Sequence, residues 1–190
     1  MPSNRSDVEK TTTNGELPIM PTQAIIIGTV LAIGAISCSG FYLSMLGGSV
    51  ALVPWMCVVL FVAVAFTYVV GFALLWCAES FTLRMKERFR ALAYGVVGFI
   101  GYGVWGLLVM TSLMNSIGQP LNGVVLSNGS VLAVALNYAV FGFLAFMLGQ
   151  LLAPKLCVKK PLAFGLLAAQ IVLAVFGLIA MVMMFGALYR

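Results

Sequence analysis

The sequence predicts an all-α fold: a polytopic helical membrane protein with five transmembrane helices, two tight hairpins flanking a glycine-rich central helix. Composition is the first observation behind it, since 63% of the residues are hydrophobic and 8% charged, against about 45–50% and ~25% in soluble domains. The mean hydropathy is +1.13. Second, every charged residue lies in one of three short polar segments or at the last position, Arg190, which leaves five long uncharged stretches. Third, each stretch supplies the ~20 apolar residues that cross about 30 Å of hydrocarbon at 1.5 Å per residue. A β-barrel would need alternating strands of about 9–11 residues, and these continuous apolar runs do not alternate.

Residues 1–21 read as a disordered cytoplasmic tail rich in Ser, Thr, Asn, Glu and Pro, followed by a five-span transmembrane domain over 22–190. Because Asp7, Glu9 and Glu16 precede the first apolar run, that run is expected to be a retained span and not a cleaved signal. Pro21 and Thr22 predict a helix start with Thr22 as N-cap. The spans are expected at approximately 23–46, 53–77, 91–112, 131–153 and 162–188. Gly47-Gly48-Ser49 breaks the chain after the first, and Pro54 falls in the first turn of the second, where a missing N–H costs least. Spans one and two are thus read as a tight hairpin. Pro154 and Pro161 bracket a Lys-rich link, so spans four and five are read as a second one.

The long connection 115–130 holds Gly118, Pro120, Asn122-Gly123 and Asn128-Gly129-Ser130, turn residues interleaved with Leu121, Val124, Val125 and Leu126. Such an apolar loop is expected to fold onto the helix ends or into an interface. Asn128-Gly129-Ser130 is also a glycosylation sequon. No internal repeat is visible, which weakens an inverted-repeat transporter reading.

Orientation follows from Lys and Arg near the spans. Arg5 and Lys10 lie in the tail, Arg84, Lys86, Arg88 and Arg90 between spans two and three, and Lys155, Lys159 and Lys160 between spans four and five. In a five-span arrangement all of these share one side, and only Arg190 is on the other. The positive-inside rule therefore predicts a cytoplasmic N-terminus and an outer C-terminus, in the plasma membrane.

Four constellations are candidate sites. The first is Gly95, Gly98, Gly103 and Gly106 in the third span, which give helix backbones a close approach in lipid, where packing replaces the hydrophobic drive. Asn137 and Gln170 are intramembrane amides that need partners, and they read as cross-helix glue worth ~0.6–2 kcal/mol each. Around Glu79 to Arg90, Phe81, Met85 and Phe89 recur at helical spacing; beside the plainer reading of an ordinary basic loop that satisfies the positive-inside rule, this gives a helical continuation of span two bending into the headgroup region. It would offer Arg84, Lys86, Arg88 and Arg90 to anionic lipid headgroups. Last, Cys38 and Cys57 read as buried thiols, while Cys77 and Cys157 read as juxtamembrane thiols open to acylation.

Absences narrow the function. No histidine occurs in the chain, so His-ligated haem, zinc and copper and His general bases are excluded. No Asp or Glu lies inside a span, which removes the usual carboxylate relay of ion-coupled transport. Glu79 and Glu87, beside basic residues, read as surface ion pairs. The basic residues are spread over three membrane-face segments, which points away from nucleic acid and towards anionic lipid. No catalytic set or cofactor site can be assembled, so the chain is read as a non-enzyme. The expected role is an accessory or assembly subunit packing against other membrane subunits or its own copies, with a small channel or carrier for a neutral or amphiphilic solute as the alternative.

Overall fold

The structure, a computed structural model, describes residues 17–47 and 50–188. It is 90% helix with no strand among the described residues, and five helices are long and apolar enough to cross a membrane. These features fit an integral multi-pass membrane protein. The expected tail up to residue 16, Gly48, Ser49 and Arg190 lie outside the described residues.

The first span is α1 (Ile19–Met45). It starts before the expected Thr22 N-cap. Pro21 sits within its first turn, where no N–H partner is needed, and Thr22 donates its hydroxyl back to Pro18 O at 2.9 Å. The second span is α2 (Leu52–Phe66) and α3 (Phe72–Thr82), joined by a π-helical turn at Thr67–Gly71. The third repeats that device: α4 (Glu87–Trp105), a π-helical turn at Gly106–Met110, then α5 (Thr111–Asn122). Spans four and five are α6 (Asn128–Val158) and α7 (Lys160–Leu188).

Three expectations about connections are corrected. The segment Glu79 to Arg90 is not one amphipathic helix. After Thr82 the chain turns, with Met85 N donating to Thr82 O at 3.0 Å, and α4 starts at Glu87 from an extended Lys86. Packing of α3 against α4 needs this reversal and overrides the local periodicity. The loop 115–130 shrinks to 123–127. Most of its turn residues are helical because Gly123, at φ +67°, closes α5 with its N–H on Gln119 O at 3.0 Å. On the far side Ser127 caps α6 by accepting from Ser130 N at 3.2 Å, so the sequon forms a first helical turn. Leu126 N donates to Asn115 Oδ1 at 2.9 Å and Leu126 packs on the core, so this short loop does fold inward.

Pro154 does not end α6, which runs a further turn to Val158 and leaves only Lys159 between α6 and α7. Despite that short link the two helices are not a packed hairpin, because α7 lies mainly along α2. The other neighbours form a closed circuit: α4 along α6, α6 along α1, α1 along α2, and α3 back against α4. Spans one to four are therefore an up-and-down four-helix bundle, and span five is docked outside it.

Burial follows this arrangement. Between 33% and 56% of the first four spans' most apolar windows is buried, the first span most of all, against 6% for the fifth. The core is aromatic as well as aliphatic. Phe66 meets Tyr102 edge-on at 5.1 Å and Trp105 at 4.9 Å, Trp105 meets Tyr138 at 4.8 Å, and Tyr138 stacks on Tyr42 at 5.7 Å. Edge and offset-stacked pairs of this kind each add about 0.5–1.5 kcal/mol beyond area burial.

Candidate functional site

The glycines of the third span face α6. A methyl at Gly98 would strike the Gly142 carbonyl oxygen and Phe146, and one at Gly142 would meet Gly98 O at 2.5 Å. Such a side chain at Gly106 would lie 3.3 Å from Ala135 Cα, at Gly103 3.2 Å from Ala139 Cβ, and at Gly95 2.7 Å from the Phe143 ring. Small residues on both helices let the backbones approach, and dispersion over that contact replaces hydrophobic drive. Gly101 faces away from α6, towards Leu74 of α3.

Gln170 is 3% exposed and is the only polar residue among those buried on α7. Its Nε2 donates to Ile25 O at 2.7 Å and to Thr29 Oγ1 at 2.8 Å, and its Oε1 accepts from the Tyr68 hydroxyl at 2.7 Å. Both amide hydrogens and the carbonyl are thereby satisfied. Gly28 supplies the space, since a methyl there would come 2.6 Å from Gln170 Oε1. Ala163 and Gly177 share the buried face at heptad spacing, and a methyl on Gly177 would run into the Cys57 carbonyl.

Asn137, half-buried on α6, bonds to α1. Its Oδ1 accepts from the Tyr42 hydroxyl at 3.0 Å and its Nδ2 lies 3.5 Å from Cys38 Sγ. Neither Asn137 nor Gln170 lines any of the cavities described below. Both are spent on holding helices together.

The π turn at Thr67–Gly71 serves two of these contacts. It adds a residue to one turn, which re-aims successive side chains. Thr67 shares a 2.9 Å hydrogen bond with the Tyr102 hydroxyl inside the bundle, while its neighbour Tyr68 reaches outward to Gln170. At the second π turn the Thr111 hydroxyl donates back to Leu107 O. Neither turn was read from the sequence.

A polar cavity of about 230 Å³ opens where the basic segments end, lined by Gln23, Glu79, Arg90, Tyr94, Gln150 and neighbouring apolar groups. Gln23 Nε2 donates to Gln150 Oε1 at 2.6 Å across α1 and α6. Arg90 Nε is buried without a protein hydrogen-bond partner. The expected headgroup residues therefore separate: Arg84 and Lys86 are exposed, Arg90 is half-buried in this cavity, and the side chain of Arg88 lies outside the described residues. Glu79, half-buried, lines the cavity, and Glu87 is exposed in the first turn of α4, where it complements the helix dipole. Cys157, expected at the surface, is buried against the bundle, while Cys38, Cys57 and Cys77 are partly exposed.

Fold and polar contacts define a class: a multi-pass helical membrane protein in which a four-helix bundle carries an external fifth helix. Beyond that class, the chain matches no protein-family model, no curated protein and no solved structure.

Proposed function

We propose that this chain is a non-catalytic accessory or assembly subunit of a larger complex in the plasma membrane, with its N-terminus cytoplasmic and its C-terminus outside. The observation that carries the reading is α7. It rests on the bundle through Ala163, Gln170 and Gly177 and a flanking strip of half-buried residues that includes Leu173, Met184 and Phe185, and it leaves its opposite face open, with Val172, Phe176, Ile179 and Met183 exposed.

That open face is a ready surface for another subunit's helix. Gly165 and Gly186 have nothing within 4 Å of a would-be Cβ, so they leave open recesses for a partner backbone. At the end of α7 away from the lysines, Met183, Met184 and Leu188 with Val50, Pro54 and Leu121 border an apolar groove of about 490 Å³. Methionines there adapt to an incoming surface. The absence of histidine from the chain and of acid from the long apolar stretches between the polar segments supports the non-catalytic part. Co-purification after mild detergent solubilisation tests the proposal: recovery in stoichiometric amounts with another membrane protein is expected, and a monodisperse monomer from native membranes would overturn it.

The carrier reading has one observation in its favour, the polar cavity holding Arg90 and Glu79. Solute flux in proteoliposomes that falls in Arg90→Leu would support it. Asn137 and Gln170, the residues a neutral pathway would use, are already hydrogen-bonded to neighbouring helices, Asn137 to α1 and Gln170 to α1 and span two, so the subunit reading is preferred.

A further inference from the structure

We propose that the groove between α1, α6 and α7, at the lysine end of the bundle, binds one anionic phospholipid, with an acyl chain in the groove and the phosphate held by Lys155 and Lys159. This does not depend on the subunit reading.

The groove results from the departure of α7 from α6. The two helices meet at their link, where Ala153 and Ala163 are fully buried and pack with Ile25, Ile26 and Leu156 in a cluster separate from the main core. Beyond that point α7 follows α2, and the wedge left open is an apolar slot of about 310 Å³ lined by Ile26, Val30, Leu152, Leu156 and Leu166. Thr29 also lines it, but its hydroxyl already donates to Ile25 O at 2.8 Å and receives Gln170 Nε2. The walls thus ask for no polar ligand atom, and a hydrocarbon chain is the chemistry that fits.

The mouth has the opposite character. Lys155 and Lys159 border it, both exposed, and among the described residues no acidic side chain lines it. A basic pocket between transmembrane helices at a membrane face is the arrangement that binds acidic lipid headgroups. The contrast lies between α3 and α4. There Phe81, Met85, Phe89 and Leu92 border an apolar groove that no cation among the described residues lines, although Arg84 and Lys86 are close in sequence. Apolar slot and paired cations coincide at Lys155 and Lys159.

The test is native mass spectrometry of the full-length protein in detergent, titrated with phosphatidylglycerol, with phosphatidylcholine, and with phosphatidylglycerol plus excess inorganic phosphate. One phosphatidylglycerol should be retained, about tenfold more than phosphatidylcholine, and phosphate should not displace it. Retention should fall about tenfold in Lys155→Gln/Lys159→Gln, recover in Lys155→Arg/Lys159→Arg, fall when Val30→Phe fills the slot, and persist in Arg84→Gln/Lys86→Gln. Equal retention of the two lipids, equal loss in the Arg84/Lys86 variant, or displacement by phosphate would overturn the proposal. Failure of the Arg pair to rescue would do so as well.

Discussion

At the scale of single residues, the polar side chains inside the spans behave as fasteners. Gln170 joins α7 to α1 and to the π turn of span two through three hydrogen bonds at 2.7–2.8 Å. Gln170→Leu removes all three and leaves the Tyr68 hydroxyl without its acceptor. A loss of about 1–2 kcal/mol is expected, read as a lower thermal midpoint in detergent. Unchanged stability would mean that α7 is not held there. Glycines give a sharper contrast. Gly98→Ala pushes a methyl into the Gly142 carbonyl and should separate α4 from α6, whereas Gly165→Ala enters open space and should be neutral or stabilising by up to about 1 kcal/mol. Equal thermal shifts in the two variants would contradict this packing. The glycine stripe and both amides were legible in the sequence because small or polar residues stand out in an apolar span. Gln23 was not, since it reads there as a span boundary, and only the fold brings it to Gln150.

At the scale of elements, the sequence located all five helices but placed several ends too early. Turn-forming residues were the cause. Gly118, Pro120 and Asn128-Gly129-Ser130 carry loop chemistry, yet they sit in the last turn or two of α5 or the first turn of α6, where the same residues are tolerated or favoured. Of the turn residues in 115–130, Gly123 alone has the left-handed backbone that stops a helix, as Gly47 does after α1. Gly123→Ala should therefore cost about 1 kcal/mol in thermal unfolding, in line with the penalty for a Cβ at positive φ; no loss would indicate a different ending for α5. The π turns have no composition signal of their own, because an extra residue in a helix follows from what its neighbours must reach. In span two those targets are Tyr102 for Thr67 and Gln170 for Tyr68, on two different helices.

At the scale of the whole molecule, two features organise the protein: a basic end and a helix outside the bundle. The first was written in the charge pattern, and labelling of single cysteines in a cysteine-free background reads its sidedness. A cysteine in place of Val125, in the loop 123–127, should react with a membrane-impermeant maleimide added outside intact cells, and one in place of Arg84 should react only after lysis. The reverse pattern would invert the topology. The second feature was not legible. Two prolines bracketing a Lys-rich link imply a hairpin of spans four and five, but the partner of α7 is chosen by Gln170, Gly177 and the space at Gly28, matches that exist only in three dimensions. Photo-crosslinking in native membranes is the most direct test of the central proposal, that the chain joins a larger complex through the open face of α7. With a photoreactive residue at Val172 or Ile179 on the open side of α7, crosslinks to one other membrane protein or to a second copy are predicted, and few from Leu136 or Val140 on the open side of α6. Crosslinks to lipid alone from α7, or the same protein captured equally from α6, would contradict it.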